Sequence, residues 1–426
     1  MTVFDKPLLL STNLRPLNLA SFIAWRIAFN QKKSFSRFII RLATVATVIS
    51  VAVMIITLAF TSGFQQVISN KVFSFWGHIR VQHFEPDKVA IAEELPIQKN
   101  DTVVQLLRSN KEITTVQAFA TKNAILKTAD ALEGVLFKGV EKDYDFRNMQ
   151  GFLQAGKWIN FPDSGYSNQV LLSEYTANQL QLRVNDQVMV YFIQPNGASP
   201  RPRKLTISGI YRSGVEEFDK LIAFGDLRLI QRLNDWNPDE IGGYELFLRD
   251  YKKMDSVSLG IFEKLPAMWN TRTTREIYPH IFDWLNLQNQ TILIVIAIMI
   301  IVAILNLITC LIILVLERTR MVGVLKALGA PNSNIQRIFL FHGAIITTMG
   351  ILLGNVAGIF LCWLQQRYGF IKLPEEMYYI STAAVNLEWW HIVAVDIGTF
   401  IICFAALLIP TLVVHKIQPV KAIQFR

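Results

Sequence analysis

The sequence has few cysteines and carries none of the common motifs of nucleotide-binding or hydrolytic enzymes. Its three cysteines, Cys310, Cys362 and Cys403, all lie within apolar runs, which excludes a disulfide framework. No G-x-x-x-x-G-K-[ST] segment occurs, so the chain does not bind ATP through a P-loop. H-E-x-x-H and G-x-S-x-G are also absent, and the six histidines are scattered without the spacing of metal ligands. We therefore predict a non-catalytic chain with no metal or cofactor of its own.

Charged residues are scarce as well. They make up 18% of the chain, whereas apolar residues make up 52%, which is too apolar for an average soluble protein. The net charge of +9 is compatible with nucleic-acid binding in principle. In a membrane protein, however, such a charge more simply reports cytoplasmic flanks and contact with anionic lipid. The composition therefore predicts a membrane protein that does not bind nucleic acid.

Four apolar runs are long enough to cross a bilayer. The predicted spans are residues 42–62, 290–316, 338–366 and 389–414. Lys and Arg are concentrated beside the ends of these runs, in segments 1–41, 317–337 and 415–426, which are therefore expected to be cytoplasmic. The first of these segments also contains a rough amphipathic pattern, typical of a helix at the membrane surface, and no A-x-A cleavage site. We predict a retained anchor with both termini inside.

Residues 63–289 are mixed, charged and rich in turns, and they contain no further apolar run of spanning length. Alternating or continuous apolar patterns predict strands at 78–82, 168–172, 187–193, 205–211 and 244–248. Ser173 is expected to cap a helix through Leu182, and Asp226 one through Leu233. The predicted fold is four transmembrane α-helices with a large α+β extracytoplasmic domain between helices 1 and 2. Residues 367–388 form a second, shorter outer loop.

The cytoplasmic segment 317–337 contains a short amphipathic helix. Its apolar stripe follows i, i+1, i+3, i+4, i+7 and comprises Met321, Val322, Val324, Leu325 and Leu328. Gly329 occupies the position of a C′ glycine, and Pro331 prevents continuation. The polar residues around the stripe are Glu317, Arg318, Arg320, Lys326 and Arg337. A helix this short is unstable alone in water. We therefore expect either the membrane interface or a partner to cover the stripe.

Three further features leave alternatives open. The stretch 194–203 has three prolines, Pro195, Pro200 and Pro202, and predicts a stiff protruding loop that is either a connector or a docking element. Gly350, Gly354 and Gly358 recur every four residues, as in the packing face of a transmembrane helix. Asp396 lies within the fourth apolar run, where an acid is either functional or reaches headgroups or water.

The segment ER…VGVLKALGA between two spans resembles the FtsX/MacB-type permeases of ABC transporters. FIAWRIAF, TSGFQ and SGVEEFD are similar to the lipoprotein-releasing (LolC/LolE-type) branch of that superfamily. The resemblance implies a bacterial inner-membrane protein whose coupling helix docks on a separate ATPase, and ATP and Mg belong to that partner. The residues implied in coupling are Glu317, Arg318, Arg320, Val324, Leu325, Lys326, Leu328 and Gly329.

The resemblance also implies a substrate and further partners. A second permease copy or a paralogue would complete a central cavity for the acyl chains of a lipoprotein. The residues implied to line it are Met54, Leu58, Phe64, Ile294, Ile298 and Ile301. The proline-rich loop falls where that branch docks a periplasmic lipoprotein carrier, which implicates Pro195, Pro200, Arg201 and Pro202.

Two other functions remain open at this point. One is an FtsX-like regulator that passes ATPase motion outward to a cell-wall hydrolase without moving a substrate. The other is a MacB-like efflux component, although such proteins carry a fused ATPase domain and this sequence has no P-loop. A hydrolase regulator needs only a small external domain, so the size of segment 63–289 favours lipoprotein release.

Overall fold

The structure is a computed structural model that describes residues 35–85, 93–194 and 198–408. The described chain divides into two compact units. The helical unit comprises residues 35–63, 288–370 and 385–408. The sheet unit comprises residues 64–287 and 371–384, apart from the gaps given above. The predicted amphipathic segment before residue 35 and the basic tail after residue 408 lie outside the described residues.

The α-helices are numbered in chain order. They are α1 (Phe35–Trp76), α2 (Asp101–Ser109), α3 (Glu174–Gln179), α4 (Glu216–Leu221), α5 (Leu227–Leu233), α6 (Met254–Phe262), α7 (Thr274–Ile277), α8 (Pro279–Glu317), α9 (Thr319–Ala327), α10 (Asn332–Tyr368), α11 (Glu375–Tyr378) and α12 (Trp389–Ala406). Within the described residues, four of these helices, α1, α8, α10 and α12, are long and apolar enough to cross a membrane. Helix α1 continues well past the predicted end of its span, because residues such as Ile68 and Val72 supply a buried face there.

The strands belong to the sheet unit. They are β1 (Ile79–His83), β2 (Ile97–Gln98), β3 (Ile113–Lys127), β4 (Leu132–Val140), β5 (Leu153–Gly156), β6 (Gln169–Ser173), β7 (Gln187–Phe192), β8 (Arg201–Tyr211), β9 (Ile222–Asp226), β10 (Glu240–Ile241), β11 (Gly243–Leu248) and β12 (Trp269–Thr273). The predicted fold class, spanning helices with an α+β domain inserted after the first of them, is confirmed.

The main sheet contains a closed ring of strands. Its order is β12-β1-β11-β3-β4-β9-β6-β8-β5, and β7 pairs with both β3 and β8. The first part of the long strand β3 pairs with β11 and its last part, from Ala124 to Lys127, pairs with β7. The path β3-β4-β9-β6-β8-β7 therefore returns to β3. A closed ring leaves fewer strand edges unpaired, and its apolar side chains fill the core of the sheet unit.

The local predictions for this unit are largely confirmed. Each of the five predicted strands overlaps an observed one, namely β1, β6, β7, β8 and β11. The side chains of Ser173 and Asp226 accept backbone N–H bonds at the starts of α3 and α5, as N-caps do.

The predicted bounds of the proline-rich loop are wrong. Strand β8 begins at Arg201, and Pro202 lies opposite Tyr191 of β7, so the connection between the strands is shorter than 194–203. Strand β6 joins β8 only from Thr206 onward. Proline is tolerated at this position because β8 pairs with a strand on one side only here. No N–H is needed on the unpaired side, and Pro has none to donate.

The small-residue face of α10 is confirmed as a packing surface. A Cβ placed on Gly350 would lie 2.6 Å from Cγ2 of Thr47, and one on Gly354 would lie 2.7 Å from Cβ of Val51. Both neighbours belong to α1. Helices embedded in lipid gain little from the hydrophobic effect, so close backbone approach of this kind supplies much of their attraction.

The segment 371–384, predicted as part of an outer loop, packs as part of the sheet unit. The side chain of Ile380 is buried in the core of that unit. The ammonium of Lys71 donates to the carbonyl of Tyr379 over 2.7 Å, and Arg212 forms an ion pair with Glu375. These polar contacts hold the segment in place.

Candidate functional site

The predicted coupling helix is present as α9 and ends in a Schellman motif. Gly329 has a φ of +87°, a conformation that favours glycine. The N–H of Ala330 donates to the carbonyl of Leu325 over 3.0 Å, and the N–H of Gly329 donates to that of Lys326 over 3.0 Å. Two carbonyls of the last turn are thereby satisfied. Pro331 follows and precedes α10, as the sequence predicts.

At its start, α9 is separated from α8 by one residue, Arg318. The hydroxyl of Thr319 donates to the carbonyl of Leu316 over 2.6 Å, so a side chain replaces part of the interrupted backbone ladder. The helix is thus defined at both ends by local contacts.

The apolar stripe of α9 is divided between an inner and an outer set. Val322 is fully buried, and Met321 and Leu325 pack against Ile338 of α10. Val324 and Leu328 remain exposed, Leu328 to 79%. The expectation that only a membrane or a partner covers the stripe is therefore wrong for the inner set. Covering by the chain itself was not visible in the sequence because it depends on how α9 folds against α10.

The outer set lies on the same helix face as a cationic side chain. Arg320, Val324 and Leu328 are all exposed and follow i, i+4, i+8, which places them on one helix face. Partial burial of the ammonium lowers the pKa of Lys326, on the same helix. Glu317 is exposed before the helix begins. The exposed apolar surface is thus small and has basic neighbours, as expected for a docking face.

The six predicted cavity residues are not brought together within one unit. Met54 is 1% exposed and packs in a cluster with Ile351 of α10 and Val395 of α12, with Leu58 against the same cluster. Phe64 belongs to the sheet unit, where its ring meets Trp284 edge-on at 5.4 Å.

The remaining three cavity residues, Ile294, Ile298 and Ile301, lie on α8 and are each more than half exposed. The exposed apolar surface continues along the helix to Leu305. Most of the apolar stretch of α8 is not buried against the described part of the chain. Of the predicted set, these three isoleucines have the most exposed side chains in this conformation and can contact lipid or another molecule.

The tip of the β7–β8 hairpin is only partly described, and Pro195 lies outside the described residues. Pro200 and Pro202 are exposed. The guanidinium of Arg201 donates to the carboxylate of Asp235 over 2.8 Å and to the carbonyl of Leu233 over 2.8 Å. Arg201 pairs with Phe192 next to the loop, so these contacts hold the loop end of the hairpin against the end of α5.

Two polar contacts between spans were not predicted. The amide of Asn306 on α8 donates to the carbonyl of Ala43 on α1 over 3.0 Å. The amide of Asn355 on α10 donates to the carboxylate of Asp396 on α12 over 2.8 Å. A lone amide within an apolar run is the signal that points to such contacts, because a polar group in lipid needs a partner.

Comparisons with known proteins agree with this architecture. Residues 42–257 match the family described as the MacB-like periplasmic core domain, which is half of the chain. Residues 293–419 match the FtsX-like permease C-terminal family, and this range includes α9, α10 and most of α8. The chain belongs to the FtsX/MacB superfamily of permeases.

Similar curated proteins extend over nearly the full length of this permease. The Haemophilus influenzae protein named lipoprotein-releasing system transmembrane protein LolE is 24% identical over 96% of this chain and 99% of its own length. LolC of Xylella fastidiosa is 22% identical with the same coverage of both chains. LolC of Neisseria meningitidis is also 22% identical over 96% of this chain and 99% of its own.

Proposed function

We propose that this permease works with a separate cytoplasmic ABC ATPase to extract lipoproteins from the bacterial inner membrane and pass them to a periplasmic carrier. The observation that carries the proposal is the end-to-end similarity to LolE and LolC, whose names state release of lipoproteins. The similarity covers the inserted domain as well as the spans. A shared transport module alone would account only for the spans.

The proposed orientation places both termini and α9 in the cytoplasm and the sheet unit in the periplasm. It rests on the basic residues beside the ends of the apolar runs. In spheroplasts of a strain whose native cysteines are replaced, a cysteine at exposed Ser199 should react with an impermeant maleimide, and one at Gln418 should not. The reverse labelling would contradict the orientation.

Coupling is assigned to the exposed face of α9. Val324 and Leu328 present the apolar anchor, and Arg320 lies in line with them. Central apolar anchors dominate the energy of most interfaces, while charges at the rim contribute less. Leu325 is assigned a different role, since its contact with Ile338 transmits movement of α9 to α10.

Substrate contact is assigned to the exposed isoleucines of α8. A second copy of the chain or a paralogue would face them across a cavity, and each acyl CH₂ buried there would contribute about 0.8 kcal/mol. ATP and Mg bound by the ATPase partner would drive closure of the cavity. The tip of the β7–β8 hairpin is the proposed contact with the carrier, because its exposed prolines lose little conformational freedom on binding.

The test is reconstitution in lipid vesicles with the copurifying ATPase, a triacylated lipoprotein and a soluble carrier. We expect ATP-dependent transfer of the lipoprotein to the carrier. Leu328→Asp should abolish both transfer and copurification of the ATPase, since it places a carboxylate in the docking groove. The control is Leu259→Asp, which alters a leucine of the sheet unit that is 67% exposed, against 79% for Leu328.

Two results would speak against the proposal. Normal ATPase recovery with Leu328→Asp would remove the coupling role of the α9 face. A complex that hydrolyses ATP but releases no lipoprotein would favour the alternative of a regulator that transmits motion to a cell-wall hydrolase.

A further inference from the structure

Asp396 and Asn355 form a polar pair between two spanning helices of the helical unit. The amide Nδ2 of Asn355 on α10 donates to Oδ2 of Asp396 on α12 over 2.8 Å. Oδ1 of each side chain is also buried, and among the described residues neither of these two oxygens has a hydrogen-bond partner. Two buried acceptors without a donor in one hydrogen-bonded pair of side chains are unusual, since buried polar groups are almost always paired.

The apolar runs of the spanning helices contain no Lys or Arg to compensate a carboxylate. No Lys or Arg occurs in residues 42–63, 291–316, 338–363 or 389–408, which contain the apolar runs of the four spanning helices. Besides Asp396 and the cysteines, these ranges contain two titratable side chains, His342 and His391. An ionised carboxylate in lipid without a cationic partner is strongly disfavoured.

A single proton removes both deficiencies. We propose that Asp396 is held in its neutral form and pairs with Asn355 as a cyclic acid–amide pair. The proton, taken from water, sits on Oδ1 of Asp396 and is donated to Oδ1 of Asn355, while Nδ2 of Asn355 donates to Oδ2 of Asp396. Both orphaned oxygens acquire a partner, and the pair carries no net charge. The pair fastens the third spanning helix to the fourth.

A neutral acid–amide pair responds to substitution differently from an acid that catalyses a reaction or carries an ion. An amide at position 396 offers an N–H where the neutral acid offers its O–H, so Asp396→Asn retains both hydrogen bonds. A carboxylate that binds a cation or releases its proton has no such substitute. Leucine at either position, in contrast, leaves the remaining polar group unpaired.

The direct test is infrared spectroscopy of the full-length chain in lipid vesicles at neutral pH. We expect the carbonyl stretching band of a protonated carboxyl group, shifted in heavy water and absent from Asp396→Asn. The control is Asp163→Asn, which changes a carboxylate that is 94% exposed and should leave the band in place. Absence of an Asp396-dependent band from the wild type would overturn the proposal.

Thermal unfolding of the same samples supplies a second readout. Asp396→Asn should melt at the wild-type temperature, whereas Asp396→Leu and Asn355→Leu should both melt several degrees lower. If Asp396→Asn melts as low as Asp396→Leu, the acid is not acting as one half of a neutral pair, and the proposal fails.

Discussion

In the sheet unit two oppositely charged side chains are completely buried, whereas in the helical unit many of the large apolar side chains lie on the surface. Lys138 and Glu245 are 0% exposed and their charged atoms are 2.6 Å apart. On α8, exposed isoleucines and leucines run along much of the spanning segment. The two units therefore distribute apolar side chains in opposite ways. The sheet unit suits water as its solvent, and the helical unit suits lipid.

The difference changes what holds each unit together. A core surrounded by water is driven by apolar burial, and charges enter it only when they are paired. Helices surrounded by lipid gain little from burial and depend on close packing and on hydrogen bonds between side chains and backbone. The glycine contacts of α10 with α1 and the Asn306 bond to Ala43 are examples of the second kind.

The largest expected effect comes from breaking the buried pair. Lys138→Met leaves the carboxylate of Glu245 buried without its cation, which costs about 3–5 kcal/mol of unfolding free energy. The double variant Lys138→Met, Glu245→Leu removes both charges and should recover most of that loss. Chemical denaturation of the full chain in detergent measures both. A double variant as unstable as the single one would show that the pair itself, and not an orphaned charge, matters.

A somewhat smaller effect is expected from acid acting on His78 in the same unit. Burial lowers the pKa of His78 from 6.5 to about 4, and its Nδ1 accepts the N–H of Leu248 over 3.1 Å. Between these two values the unfolded chain binds the extra proton, so the stability supplied by neutral His78 is lost as pH falls from about 6.5 to about 4. The loss is about 3 kcal/mol, at about 1.4 kcal/mol per pKa unit.

The matched variant for this pH effect is His78→Asn. Its side-chain oxygen can accept the Leu248 N–H, but it does not titrate in this range. The difference in unfolding free energy between wild type and variant should therefore change as pH is lowered, with the wild type losing more. Parallel pH profiles would contradict the assignment of this acid sensitivity to His78.

These polar sites of the sheet unit show where sequence reasoning ends. Strand β7 and the N-cap of α5 could be predicted because their signals lie within a few adjacent residues. Lys138 and Glu245 are 107 positions apart, and no sequence pattern around either residue predicts contact with the other. Their pairing follows from the order of strands in the sheet, which no local pattern encodes.

The coupling segment shows the same limit. Its apolar stripe could be predicted from helical periodicity, and its terminating glycine from one backbone conformation. The division of that stripe into buried Val322 and exposed Leu328 could not be predicted, because it arises when α10 covers one side of the stripe. The closed ring of strands could not be predicted for a related reason, because it requires β7 to pair with the distant strand β3 as well as with its hairpin neighbour β8.

In the helical unit, a moderate effect is expected from Gly354→Ala. The new Cβ would lie 2.7 Å from Cβ of Val51 and 3.0 Å from the carbonyl of Val48, so α10 and α1 must separate. Overpacking of this kind costs about 1–3 kcal/mol. The matched control is Gly398→Ala on α12, where nothing lies within 4 Å of the new carbon. Thermal unfolding in detergent should separate the two, and equal melting temperatures would argue against glycine packing as a source of stability.

The smallest effect is expected from Asn306→Leu, although it removes a hydrogen bond between two spans. The carbonyl of Ala43 also accepts the hydroxyl of Thr47 over 2.9 Å, so it keeps a partner when the amide is lost. The leucine introduces no unpaired polar group, and hydrogen bonds between spanning helices contribute about 0.6 kcal/mol on average. We expect a change in melting temperature much smaller than that of Gly354→Ala. Thr309→Val is the control, because the hydroxyl of Thr309 donates to the carbonyl of Leu305 on its own helix. If Asn306→Leu destabilises the chain as much as Gly354→Ala, the side-chain hydrogen bond between α8 and α1 would rank with the close packing between α10 and α1 as a source of stability.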